Sequence, residues 1–275
     1  MKQRTKKQKQ TSTHITPQDK LPKITPNQKQ IIKDIYKFRF IHTYQFQKLF
    51  NHKDPTMVKE WLKDLKDKKY IGSDYKRKDV EQNRIPAKYF LAPLGRKFLK
   101  GQKGFDIEVL EKVYKEKGRK KVFKNHWIEL VDMFLFLKSQ KKPSEELKFF
   151  TQSNLTKYEY FPDTELDAYF VIQEKDKIRR FFLHIFKDSD PTWLPRPKIK
   201  KYIKYFNENA WAENTNNSPF PVILFVVPTE SLKFHIFKYG QAVLQKAITA
   251  DIQLFVETKE AIKTGDPKKL WQQVK

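Results

Sequence analysis

The sequence contains no cysteine. Disulfide frameworks, thiolate metal sites and thiol nucleophiles are therefore excluded. Glycine is scarce, at 7 in 275 residues, and neither a GxGxxG nor a GxxxxGK[ST] pattern occurs, so phosphate-cradling loops of those kinds are not expected. No run approaches the ~18 apolar residues of a membrane helix. The longest, VILFVV (222–227) and MFLFL (133–137), are the length of a buried strand or one helix face. The opening MKQRTKKQKQ leads into polar residues without an apolar segment, so a secretory signal is not expected and a cytoplasmic location is.

Acidic residues are the remaining deficit. Lys and Arg number 57 against 32 Asp and Glu, a formal net charge of +25. Such an excess points to a polyanionic partner, nucleic acid ahead of a membrane surface. A disordered polyelectrolyte has few aromatics; here they make up 15% of the chain, enough to furnish a core. Of the +25, +17 lies in residues 1–100. Residues 1–24 read as a basic disordered tail, with Lys2, Arg4, Lys6, Lys7 and Lys9 free of any neighbouring acid. Such a tail serves either as a solubilising terminus or as an arm along phosphates.

Residues 25–100 read as three helices and a hairpin. Thr25-Pro26 is a cap followed by a first-turn proline, and Ile31, Ile32, Ile35 and Phe38 recur at helical spacing over 26–38. After a break at 40–42, Thr43 caps a short helix carrying Tyr44, Phe46, Leu49 and Phe50. Asp54-Pro55 opens a third helix, 54–69, with Val58, Trp61, Leu62 and Leu65 on one stripe and Lys59, Lys63 and Lys66 off it. Two short strands, Tyr70-Ile71-Gly72 and Lys88 to Leu91, flank a basic loop holding Lys76, Arg77, Lys78 and Arg84. This order describes a winged helix-turn-helix, with the third helix as reader and the loop as wing. Its expected partner is double-stranded DNA; the competing use of such a fold is protein contact, with the lysines merely solvated.

Residues 101–122 read as a linker helix. A long apolar helix then spans about 123–139, carrying His126, Glu129 and Asp132. Strands are expected at 147–150, 167–172, 180–186, 221–227 and 251–256, with helices at 197–211 and 230–247 between the later ones. The fold class is therefore α+β: the winged helix followed by an α/β layer (123–275) with the element plan of the PD-(D/E)xK nuclease core.

A winged helix ending in Y-F-L-x-P-x-G, an apolar helix carrying a His, the strands "DAYF" and "FFLHIF", a Lys/Tyr-rich helix and a closing Trp together resemble the replication-relaxation family of plasmids and other mobile elements. The resemblance covers about 25–275. It implies a nuclease-like domain whose first metal carboxylate falls on Asp167, or less favourably Asp163; apart from the resemblance, Glu129 on the preceding helix could add a second oxygen ligand if the geometry brings it there. The acidic position of the next strand falls on His184, and two residues on stands Phe186 in place of a lysine; Lys187 is one place off and by period two faces the other side of the sheet. One carboxylate with a histidine is a poor Mg²⁺ site, since that ion takes hard oxygen ligands. The expectation is a DNA-binding protein of replication, relaxation or mobilisation with a degenerate nuclease-like domain and no cofactor. Replication or mobilisation proteins and a second copy of the chain are its candidate protein partners, and no membrane is. The alternatives are a Mg²⁺-dependent nickase using Asp167, Glu129, His184 and Lys187, and a winged-helix transcription regulator.

Overall fold

The computed structural model describes residues 21–74, 86–245, 252–264 and 271–274. The basic tail before residue 21 and the loop residues Lys76, Arg77, Lys78 and Arg84 lie outside the described residues.

The chain is a mixed α+β structure with two sheets. It starts with α1 (Pro26–Phe38), whose Thr25 cap accepts from the Gln28 amide while Gln28 Oε1 accepts from the Thr25 amide, a reciprocal capping box. Then come β1 (Ile41–His42), α2 (Thr43–Leu49), α3 (Thr56–Asp67), β2 (Ile71–Asp74), β3 (Lys88–Leu91) and α4 (Pro93–Lys100). The small sheet has the order β1-β3-β2 and is antiparallel throughout, with Ile71 opposite Leu91 and Ile41 opposite Tyr89. The segment expected as a break is thus a two-residue strand. His42, not Thr43, precedes α2, because His42 is extended and its amide is taken by Gln45 Oε1 at 2.9 Å.

The expected linker helix is α5 (Ile107–Lys115), followed by a 3₁₀ turn at Glu116–Gly118. It leads to α6 (Lys121–Gln140), then β4 (Glu146–Thr151), α7 (Gln152–Leu155), β5 (Ala168–Glu174) and β6 (Lys177–Ile185). The single helix expected at 197–211 is two, α8 (Pro195–Asn207) and α9 (Ala210–Asn214), because Asn209 between them takes a left-handed φ of 54°. After β7 (Val222–Val227), α10 (Glu230–Leu244) and β8 (Leu254–Thr258) come two elements that the sequence reading did not contain, α11 (Lys259–Thr264) and β9 (Gln272–Val274). The large sheet runs β4-β5-β6-β7-β8-β9; β6, β7 and β8 are parallel neighbours and the remaining pairs are antiparallel.

Period-two alternation assigns the two faces of this sheet. Phe149, Phe170, Leu183, Ile185, Leu224 and Val226 join α6 in one core; Phe182, Phe186, Ile223, Phe225 and Val227 join α8 and α10 in the other. The first core also contains Ile31, Ile35, Phe46, Leu62 and Leu110, so α6 has apolar neighbours from the N-terminal elements and from the sheet alike.

Candidate nucleic-acid interface

The surface of α3 follows from its periodicity. Val58, Leu62 and Leu65 are buried, and Trp61 is half-buried against the rings of Phe50 (5.6 Å) and His52 (5.2 Å). Lys59, Lys63 and Lys66 repeat the same spacing one residue later, about 100° around the helix, and all three are exposed. None of them has a carboxylate within ion-pair distance among the described residues, whereas the neighbouring Asp64 is bonded to Lys68 and Gln28, each at 2.7 Å. The helix starts at Thr56 rather than Asp54: Asp54 Oδ1 accepts from the Thr56 amide at 2.7 Å, and Pro55 between them donates nothing.

The hairpin stem beside α3 is anchored to α6. Lys124 Nζ lies 2.7 Å from Asp74 Oδ2, and Lys88 Nζ donates to Asn125 Oδ1 at 2.7 Å. Both described strands of the hairpin are therefore tied to α6.

At the carboxyl end of the parallel strands, Asp167 occupies the bend before β5. Its Oδ2 accepts from the Ile185 amide at 2.6 Å, and its Oδ1 is 2.6 Å from His126 Nε2. Burial opposes ionisation of this carboxyl, yet His126 and the Ile185 amide outweigh it and hold Asp167 below the usual carboxylate range. An ionised carboxylate only accepts, so Nε2 carries the proton and donates. The counterpart of Asp167 is thus a histidine of α6, a pairing the sequence reading did not contain; its only signal was a polar residue on an apolar helix.

The other three residues of the expected catalytic set have different partners. Glu129 Oε2 lies 3.0 Å from Lys259 Nζ, which is also 3.0 Å from Asp188. His184 is buried, with Nε2 2.8 Å from the Tyr202 hydroxyl and its ring edge-on to Phe225. Lys187 lies beyond the end of β6, where its amide donates to Asp190 Oδ2 at 2.8 Å. Asp163, the lesser candidate, is exposed and pairs with Lys201 at 3.0 Å. Glu129 and Asp167 are therefore each committed to a cationic or donor side chain, and among the described residues no group of three or more His, Asp and Glu side chains forms a metal-binding cluster.

No family model matches the chain, and no curated protein and no solved structure matches it.

Proposed function

We propose that the protein binds double-stranded DNA through residues 25–100, acting as a winged helix-turn-helix with α3 as the reading helix and the β2–β3 hairpin as the wing. The observation that carries this reading is the exposed row Lys59, Lys63 and Lys66, none of them within ion-pair distance of a carboxylate among the described residues, on a helix whose other stripe is buried. The β1-β3-β2 order supports it, because a short strand between α1 and α2 closing on a hairpin is the arrangement of that motif. Residues 25–100 carry +11 of the +25 charge, and the tail that precedes them a further +6. The resemblance to the replication-relaxation family suggests the setting: replication, relaxation or mobilisation of a plasmid or mobile element.

The second half is read as a degenerate nuclease-like domain. Helix α6, the antiparallel β4–β5–β6, then α8 and a β7 parallel to β6 support the plan. The pairing of Asp167 with His126 and of Glu129 with Lys259 argues against a working metal site.

The test is duplex binding across a salt series. Each phosphate contact contributes about 0.9 to the slope of log K against log salt. Lys59→Gln with Lys63→Gln is expected to reduce the slope by about 1.8 and to weaken binding to any duplex. An unchanged slope would sink the reading. Incubation of supercoiled plasmid with Mg²⁺ or Mn²⁺ is expected to leave it intact; nicking that Asp167→Ala abolishes would restore the nuclease alternative.

A further inference from the structure

A second basic surface begins where the turn before α3 ends. A cavity of about 870 Å³ lies between the end of α2, the outer half of α6 and α11. Lys48, His52, Lys138, Lys141 and Lys263 line it together with Lys259. Two acids also line it, Glu129 and Asp132, and both are engaged. Glu129 pairs with Lys259, and Asp132 accepts from Gln45 Nε2 at 2.8 Å and, more distantly, from the Tyr44 hydroxyl. Among the described residues, Lys138 and Lys141 donate to the carbonyls of Leu49 and Glu145 and pair with no carboxylate. Lys48 and Lys263 are exposed and have no acidic partner among the described residues. The groove therefore offers a surplus of positive charge that nothing in its own walls neutralises.

Its position gives that charge a direction. The His52 ring packs on Trp61 of α3, and Gln47 Nε2 donates to the Lys53 carbonyl at 2.9 Å, so the wall of the groove is continuous with the start of α3. From there the cations pass across α6 to α11 at the carboxyl end of β8. A spread row of ammonium groups with no enclosing donor pocket suits a repeating polyanion better than a single small anion.

We infer that this groove holds the phosphate backbone of the duplex flanking the segment that α3 reads, so that the end of α2, α6 and α11 together form a second, sequence-independent DNA contact. This rests on the proposed DNA binding by α3, and the experiment separates the two. Lys48→Gln with Lys263→Gln is compared with Lys59→Gln with Lys63→Gln on a duplex just long enough to cover α3, on one twice as long, and on a single strand of the longer length. Both pairs are exposed positions, and circular dichroism confirms that each variant is folded. The groove pair is expected to reduce the salt slope by about 1.8 on the long duplex and to leave the short one unaffected. The helix pair is expected to lower it on both duplexes. A groove pair without effect on the long duplex, beside an active helix pair, overturns this inference alone. A helix pair without effect on either duplex overturns the underlying reading. A groove effect confined to the single strand overturns the choice of duplex.

Discussion

His184 is enclosed by Tyr202, Phe186 and Phe225, and the charges of Lys198 and Asp167 act on it from the neighbouring helix and bend. Burial is the main cause, and the Lys198 charge a further one, that pushes its pKa down to about 3, against the pull of Asp167. The consequence is a pH dependence of stability with a definite sign. An unfolded histidine takes up a proton near pH 6.5, whereas the folded chain refuses it until about pH 3. Between those values the unfolded state holds more protons, so stability falls as the pH falls, by about 1.4 kcal/mol per pH unit for this one group. Asp167, also depressed, acts in the same direction lower in the range. Asp34 opposes both: burial raises its pKa to about 6, so protonation there favours the fold as pH drops from about 6 towards the ordinary 3.8. Asp34 is common to wild type and His184→Gln, and Asp167, on which the His184 charge acts, is held below the usual carboxylate range, so between pH 7 and 4 the difference between the proteins reports the histidine. Urea unfolding at several pH values from 7 to 4 is expected to show the wild type losing stability relative to His184→Gln by about 1.4 kcal/mol per unit below pH 6.5. A constant difference across that range would falsify the neutral, buried state of His184.

Among the elements, α4 owes its position to Gly95. A Cβ there would stand 2.2 Å from the Tyr70 carbonyl oxygen and 2.8 Å from Leu91 Cδ1. The same carbonyl accepts from the Ala92 amide at 3.0 Å, and Leu94 donates to Lys69 at 3.1 Å, so the first turn of α4 is bonded to the chain linking α3 to β2. The obstacle is backbone held by these bonds, which cannot swing aside as a side chain can. Gly95→Ala is expected to cost about 1–3 kcal/mol by overpacking, read as a lower urea midpoint with an unchanged m-value. The sequence showed α1 from Pro26 to Phe38, because a cap, a first-turn proline and 3.6-residue periodicity are local signals. It did not show β1 or β9, which are two and three residues long and held by their partner strands. Nor did it show the meeting of His126 with Asp167, residues 41 apart in the chain that only the packing of α6 on the sheet brings together. The departure at His184 and Phe186 was legible as residue types; what they touch was not.

At the scale of the whole molecule, the junction between the N-terminal elements and the large sheet is filled rather than bridged. Phe38 of α1 packs on Phe134 of α6 and Phe149 of β4, and Gln45 of α2 donates to the Ile128 carbonyl and to Asp132 of α6. At its centre Arg39, just past α1 with φ 63°, forms a buried ion pair with Glu116. The guanidinium also stacks over Trp127, 4.1 Å from its ring, and lies 3.4 Å from the Ser153 hydroxyl. One residue thus ties α1, the turn after α5, α6 and α7 together. Burial lowers the Arg39 pKa, the Glu116 charge counters it, and an arginine nonetheless remains charged at any physiological pH. Removing only its partner would leave an uncompensated buried charge, which costs more than the intact pair contributes. Glu116→Gln is therefore expected to lose at least about 3 kcal/mol, and at about 3 °C per kcal/mol the melting temperature falls by about 10 °C. The form of the transition carries the larger claim. If the halves unfolded independently, weakening the junction would separate the calorimetric trace into two peaks. A core that runs from Ile31 through α6 to Val226 predicts one peak in both proteins, displaced as a whole in the variant. Two resolved peaks in the wild type would mean that the N-terminal elements and the sheet do not fold as one unit, and the groove between them could then not hold a fixed track for DNA.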